Sequence, residues 1–176
     1  MIKFKAPIIY GFVVAFSGSA LMLTLIWLKL LGPKAISLDN EMVGGTILFL
    51  MLYLFLLFGI YFAIRKRKEL NSQIISYKEA LLQGLVLSLS TAAFSIVFTY
   101  VFYELLYPDY VSETLNATKM KMQEANVSAE KLEIKLLEKK KYYSTSVQSF
   151  YSFVGNLITG LAFTLLLSFF LKSNKK

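Results

Sequence analysis

Small and polar residues recur every four positions in two apolar parts of the sequence, so each set lies on one face of a helix. Gly84, Ser88 and Ala92 form the first set, and Asn156, Gly160, Thr164 and Ser168 form the second. In a membrane, small residues let helix backbones approach, and hydroxyl or amide groups form hydrogen bonds between helices. The pattern therefore predicts a packed helix interface, in which the Asn156 amide must find partners. A polar groove or pore along the same faces is the alternative.

The residue types that catalysis needs are scarce. The chain has no cysteine and no histidine, which removes thiol nucleophiles, disulfides, and the commonest general base and metal ligand. Four long apolar stretches contain no charged residue, whereas ion-coupled transporters and proton relays normally need an ionisable group at membrane depth. We therefore expect no enzymatic activity, no catalytic residue, no cofactor and no metal site.

The four uncharged stretches are the elements that must position the polar faces, and they cover residues 6–28, 42–64, 80–103 and 150–171. Of the 176 residues, 56% are hydrophobic and 17% are charged, a more apolar balance than that of soluble domains. At about 1.5 Å per residue, each stretch can cross the roughly 30 Å hydrocarbon core of a bilayer. The sequence predicts an all-α fold and a single integral membrane domain over residues 1–176. This domain is a four-helix transmembrane bundle with spans at about 6–31, 42–64, 77–107 and 142–171.

Three local signals predict where these helices begin and end. Gly32 and Pro33 together predict the end of the first helix. Ser76 and Glu79 have the spacing of a capping box, in which each side chain bonds the backbone N–H of the other, at the start of the third helix. Pro108 predicts the end of that helix, because the residue before a proline is pushed out of helical geometry.

The distribution of basic residues predicts the orientation in the membrane. Four of them follow the second stretch: Arg65, Lys66, Arg67 and Lys68. With four spans, the lysines on the same side are Lys3, Lys5, Lys78, Lys172, Lys175 and Lys176. Because cytoplasmic loops are enriched in Lys and Arg, this side and both termini are predicted to be cytoplasmic. The formal net charge of +8 then reflects lysines that flank membrane helices, and we expect no nucleic-acid partner.

Residues 108–141 are predicted to form an extracytoplasmic helical hairpin between the third and fourth spans. The absence of Gly and Pro from 129 to 153 predicts a helix that has Ser128 as its cap and runs unbroken to residue 171. A shorter helix would fold back onto it through apolar side chains. The expected contacts are Met122 with Leu132, Thr118 with Leu136, Leu115 with Leu137, and Val111 with Tyr142 or Tyr143. The alternative is a segment that lies flat on the membrane surface.

Four features follow one another along the chain. They are the basic run at 65–68, the sequence Ile-Ser-Tyr-Lys-Glu-Ala at 75–80, Tyr-Pro-Asp-Tyr at 107–110, and a Met- and Glu-rich segment before a final lysine-ended apolar helix. In this layout nearly the whole chain resembles a family of small bacterial membrane proteins, frequent among Bacteroidetes, that share a domain of unknown function (family four-one-nine-nine). The resemblance implies a bacterial inner-membrane location, and it implies no activity and no site residues.

Taken together, these patterns predict a non-catalytic integral protein of the bacterial inner membrane that acts as a scaffold, interaction or assembly subunit. The alternative is a passive channel or transporter component that works as an oligomer. The expected partners are the lipid bilayer, a membrane or periplasmic protein that docks on residues 108–141, and a second copy of the chain.

Overall fold

The computed structural model describes residues 4–173, and in this part of the chain the regular secondary structure is helical. It consists of α1 (Lys5–Trp27), α2 (Pro33–Ser37), α3 (Glu41–Leu70), α4 (Tyr77–Tyr100) with a π-helical extension (Val101–Leu106), α5 (Tyr110–Glu124), α6 (Ala129–Tyr142) and α7 (Thr145–Leu171). Helices α1, α3, α4 with its extension, and α7 are long and apolar enough to cross a membrane. The predicted all-α fold, with four helices able by length and composition to span a membrane, is thus confirmed. Lys3, Lys175 and Lys176, which contribute to the predicted orientation, lie outside the described residues.

Helix α4 is the central helix of the bundle, since it packs against α1, α3 and α7. The core includes Ile60 and Ile64 of α3, Leu87 of α4, and Ile75 just before α4, all fully buried. Many leucine and phenylalanine side chains on the outer surface of the bundle are exposed. This outward apolar surface is the arrangement that lipid, rather than water, accommodates.

The first helix ends earlier than the sequence predicts, at Trp27 instead of residue 31. Lys29 adopts a left-handed conformation with φ of 59°. The N–H groups of Leu30 and Leu31 both donate to the Leu25 carbonyl, at 2.8 and 3.2 Å. These bonds satisfy a helix-end carbonyl and turn the chain away. Gly32 is therefore the residue before a new short helix, α2, rather than the end of α1.

The predicted limits of the third span are confirmed. The Glu79 N–H donates to Ser76 Oγ at 3.2 Å, and the Ser76 N–H donates to Glu79 Oε2 at 3.3 Å, so the capping box is complete. At the other end, the π-helical extension finishes at Leu106, before Pro108. Both limits depend on residues close together in sequence, which is why they are readable from it.

The prediction of one unbroken helix from 129 to 171 is wrong, because α6 ends at Tyr142 and α7 begins at Thr145. Ser144 is extended, with ψ of 142°. Its N–H and its hydroxyl both donate to the Lys141 carbonyl, at 3.3 and 2.8 Å. Such local side-chain bonds compete with helix continuation. Ser128 does precede α6, as predicted, although its side chain forms no capping hydrogen bond.

Candidate functional site

The two predicted polar faces lie against each other where α4 meets α7. A Cβ placed on Gly84 would lie 2.5 Å from Thr164 Cγ2, and one placed on Gly160 would lie 2.6 Å from Ser88 Cβ. Real Cβ atoms do not approach other atoms so closely, so glycine is required at both positions for the backbones to come this near. The structure therefore brings four of the predicted residues into direct contact.

The Asn156 side chain lies in the same interface and is half-buried. Its amide nitrogen donates to Ser95 Oγ of α4 at 3.0 Å and to the Ser152 carbonyl at 2.8 Å. Nearby, Thr99 Oγ1 donates to Ser152 Oγ at 3.3 Å, a second bond between the same two helices. Hydrogen bonds between membrane helices contribute about 0.6 kcal/mol each on average. Both amide protons of Asn156 are thus used within one chain.

The remaining members of the two faces, Ala92 and Ser168, are fully buried. Ser88 donates back along its own helix to the Gly84 carbonyl at 2.8 Å. Within residues 4–173, the hydroxyls of Thr164 and Ser168 have no hydrogen-bond partner. Hydroxyl, amide and glycine groups packed in this way supply neither a nucleophile with an adjacent base nor a charged ligand set. The described residues also contain no group of three His, Cys, Asp or Glu side chains that could hold a metal ion.

A cluster of aromatic side chains, which the sequence analysis missed, closes the end of the bundle at which α3 begins. Phe102 and Tyr103 of the π-helical extension pack edge to face at 4.9 Å between ring centroids. Tyr110 of α5 lies 5.2 Å from Phe102 and 5.9 Å from Tyr143, also edge to face. Such pairs contribute about 0.5–1.5 kcal/mol each beyond their buried area. The cluster joins three parts of the chain that are distant in sequence. The concentration of tyrosines at 103–110 and 142–143 is the feature of the sequence that could have predicted this cluster.

Burial controls the ionisation of the tyrosines in the aromatic cluster that lie outside the spans. It raises the pKa of Tyr110 and of Tyr143 well above the ordinary value, because the phenolate is poorly solvated there. Burial, followed by a hydrogen bond that Tyr107 donates to Glu113, raises the pKa of Tyr107 to about 12. These hydroxyls are therefore neutral donors at physiological pH.

Helix α5 packs mainly on α2, a contact that the sequence analysis did not anticipate. Thr114, Ala117 and Thr118 of α5 are buried, as are Ala35 and Ile36 of α2. Thr118, which was expected to contact Leu136, is one of these buried residues, and its hydroxyl donates to the Thr114 carbonyl at 2.9 Å.

Charged and polar contacts hold the α2–α5 region and the end of α6 to the bundle. Lys121 of α5 pairs with Asp39 and donates to the Ile36 carbonyl at 3.2 Å. Glu41, the first residue of α3, accepts a bond from the Tyr143 hydroxyl at 3.3 Å and lies 3.8 Å from Lys139 Nζ. Exposed ion pairs contribute only about 0–1 kcal/mol each, so these contacts orient the helices more than they stabilise them.

Helices α5 and α6 enclose an open groove of about 280 Å³. Four of the predicted hairpin residues line it, namely Leu115, Leu132, Leu136 and Leu137. Val111 packs against the aromatic cluster, on which Tyr143 also packs, and the half-buried Met122 does not line the groove. Lys119 and Lys140 lie along the groove beside a single acidic residue, Glu133.

The basic run after the second span contributes to packing as well as to charge. Arg67 Nη2 lies 3.3 Å from Glu79 Oε1 at the start of α4. Lys68 Nζ donates to the Leu171 carbonyl at the end of α7, at 3.1 Å. A cation at a helix C-terminus is favourable because the last carbonyls carry partial negative charge. Arg65 and Lys66 stay exposed and lie near Glu69 on their own helix.

A helical bundle with four helices able to cross a membrane, a polar interface without reactive groups and a charged region beyond the spans defines a multi-pass membrane protein. The chain belongs to the family described as protein of unknown function (DUF4199), whose model matches residues 5–173. The resemblance drawn from the sequence is confirmed. No curated protein and no solved structure matches the chain.

Proposed function

We propose that the chain is a non-catalytic scaffold or assembly subunit of the bacterial inner membrane. The observation that carries the proposal is the way in which the polar groups of the spans are used. Thr164 and Ser88 fill the space beside Gly84 and Gly160, respectively, on the opposing helix. Asn156 donates hydrogen bonds to Ser95 and Ser152. A pore or a substrate site needs polar groups that face a cavity, whereas these face a neighbouring helix of the same chain.

The docking surface of the scaffold is the groove between α5 and α6, on an extracytoplasmic helical hairpin. Leu137, which lines the groove, is 61% exposed, and none of the α6 residues is buried. The groove has an apolar lining, and two lysines, Lys119 and Lys140, outnumber its one carboxylate. The occupant that fits this surface is an amphipathic helix with acidic residues, from a membrane or periplasmic protein.

We expect a photo-crosslinking amino acid at Leu137 to trap one discrete partner in the native host. The same amino acid at Lys131, which is exposed on α6 but outside the groove, should trap much less. Charge reversal of the two groove lysines, Lys119→Glu with Lys140→Glu, should abolish the Leu137 adduct by repelling the acidic partner. An adduct that survives this reversal, or that forms equally well from Lys131, would contradict the proposed docking surface.

The channel alternative draws support from one observation, the buried hydroxyls of Thr164 and Ser168 that have no partner. An oligomer would have to redirect these groups towards a water-filled path. The channel alternative can therefore be tested with the purified protein reconstituted into liposomes. Solute flux into liposomes that disappears in the Asn156→Leu variant would replace the scaffold with a channel.

The proposed orientation places both termini and residues 65–78 in the cytoplasm. Its support is the basic run Arg65, Lys66, Arg67 and Lys68 on one side of four spans. Ser72 and Ser128 are exposed and lie at opposite ends of the bundle in this arrangement. In a chain without cysteine, each serine can be replaced by a single thiol.

In intact cells, we expect Ser128→Cys to react with an impermeant thiol reagent and Ser72→Cys to be protected. Permeabilised cells should label both variants equally, which controls for intrinsic reactivity. Labelling of Ser72→Cys but not Ser128→Cys in intact cells would reverse the orientation.

A further inference from the structure

The early end of α1 creates a pocket of about 210 Å³ at the edge of the bundle. Its lining includes Trp27, Lys29, Lys34 and Tyr107, with Leu31 and Pro33 as apolar surface. The pocket exists because the chain turns at Lys29 and begins α2 at Pro33, which places two lysines from different elements around one space.

The two lysines of this pocket have no ion-pair partner among the described residues. Lys29 and Lys34 are exposed, and neither ammonium group has a carboxylate within 4.0 Å or a hydrogen-bond acceptor among the described residues. The acidic groups of the neighbouring loop are engaged elsewhere. Asp39 pairs with Lys121, and Glu41 lies between Tyr143 and Lys139. Glu113 accepts a hydrogen bond from the pocket residue Tyr107, so one carboxylate lies beside the pocket, but it pairs with neither lysine. Lys29 and Lys34 therefore remain available for charge-assisted hydrogen bonds to a phosphate group.

The aromatic lining points to a ligand at the surface of a bilayer. Trp27 is the last residue of the apolar helix α1 and is 80% exposed. Tyr107 directly follows the third membrane-spanning helix. Trp and Tyr at such helix ends occupy the headgroup level of a membrane. Leu23 and Leu28 flank Trp27 in the sequence with exposed side chains, so an apolar surface adjoins the charged pocket.

We propose that this pocket binds the phosphate of an anionic phospholipid. Lys29 and Lys34 pair with the phosphate oxygens, Trp27 and Tyr107 contact the glycerol region, and the acyl chains lie along the exposed side of α1. The same two lysines could attract free inorganic phosphate, but free phosphate would leave the aromatic and apolar lining unused.

Trp27 is the single tryptophan of the chain, so its fluorescence reports on the edge of the pocket. The full-length protein is placed in phosphatidylcholine nanodiscs that contain increasing fractions of phosphatidylglycerol with brominated acyl chains. The matched reference is brominated phosphatidylcholine, added in the same fractions to nanodiscs of otherwise unbrominated phosphatidylcholine. Wild type should reach half-maximal quenching at a roughly 10–30-fold lower fraction of the anionic lipid, given two lysines near the surface.

The double variant Lys29→Gln with Lys34→Gln should lose this preference, so that its two quenching curves coincide. The control Lys131→Gln with Lys141→Gln removes the same charge from exposed positions on α6 and should keep the preference. Unchanged helical circular dichroism shows that each variant is folded. Equal curves for the two lipids in wild type, or a preference that survives in the double variant, would overturn the proposal.

A second arm distinguishes the lipid from free phosphate. Inorganic phosphate is added to discs that contain the brominated anionic lipid, with sodium chloride of equal ionic strength as the control. Fluorescence that stays quenched supports a lipid site. Recovery of fluorescence with phosphate but not with chloride would assign the pocket to free phosphate and overturn the lipid proposal.

Discussion

Replacement of Gly160 by leucine is expected to separate α7 from α4 and to destabilise the bundle by about 3 kcal/mol or more. A Cβ on Gly160 would already lie 2.6 Å from Ser88 Cβ, and it would be 3.5 Å from the Ser88 Cα. The backbone of α4 would have to move to admit a larger side chain. Overpacking of a close interface costs about 1–3 kcal/mol even where only side chains shift.

The matched control lies on the same helix. Around Gly155 there is nothing within 4 Å of an added Cβ, so Gly155→Leu should be tolerated. Leu54→Ala, which trims a side chain that is 43% exposed, should also cost little. The measurement is thermal unfolding in one detergent, where the Gly160 variant should lose roughly 6–12 °C. Equal loss in the Gly155 and Gly160 variants would show that the α4–α7 interface is not the cause.

Alanine substitutions at the adjacent glycines 44 and 45 are expected to have opposite effects. Gly44 is buried at the start of α3, and a Cβ there would overlap the carbonyl group of Leu30. Because Leu30 belongs to the turn after α1, the clash is with backbone and cannot be relieved by a side-chain rotation. We expect Gly44→Ala to cost about 2 kcal/mol or more.

At Gly45 an added Cβ meets nothing within 4 Å. Alanine there should instead stabilise the helix by up to about 1 kcal/mol, because glycine is a poor helix former. Thermal unfolding of the two variants should therefore shift the midpoint in opposite directions, by roughly 2–4 °C per kcal/mol. A shift of the same sign in both would mean that the turn after α1 does not press on α3 as described.

The four spans and the capping box of α4 could be predicted from the sequence because both depend on neighbouring residues. A run of about twenty apolar residues is long enough to cross a bilayer wherever it occurs. The two halves of the capping box, Ser76 and Glu79, lie three residues apart and need no tertiary contact to bond each other. The polar faces of α4 and α7 were also visible, since a spacing of four residues defines a helix face.

The sequence could not decide what those faces would meet, and it misled at two helix ends. The break at Ser144 follows from bonds to Lys141 in a region without glycine or proline. The end of α1 at Trp27 follows from the turn at Lys29 rather than from Gly32. The apolar run through Leu31 favours a continued helix at the first site, and the absence of Gly and Pro favours one at the second. Local backbone and side-chain hydrogen bonds end the helix at both.

Composition and local spacing thus determine that this is a multi-pass helical protein with a polar face on each of two helices. The tertiary structure alone decides that α5 packs on α2, that five aromatic rings converge at one end of the bundle, and that Gly44 is crowded while Gly45 is free. The physical reason is that these features depend on the distance between groups far apart in sequence. That distance is set by how closely particular helix backbones approach one another, which no local pattern of residue types specifies.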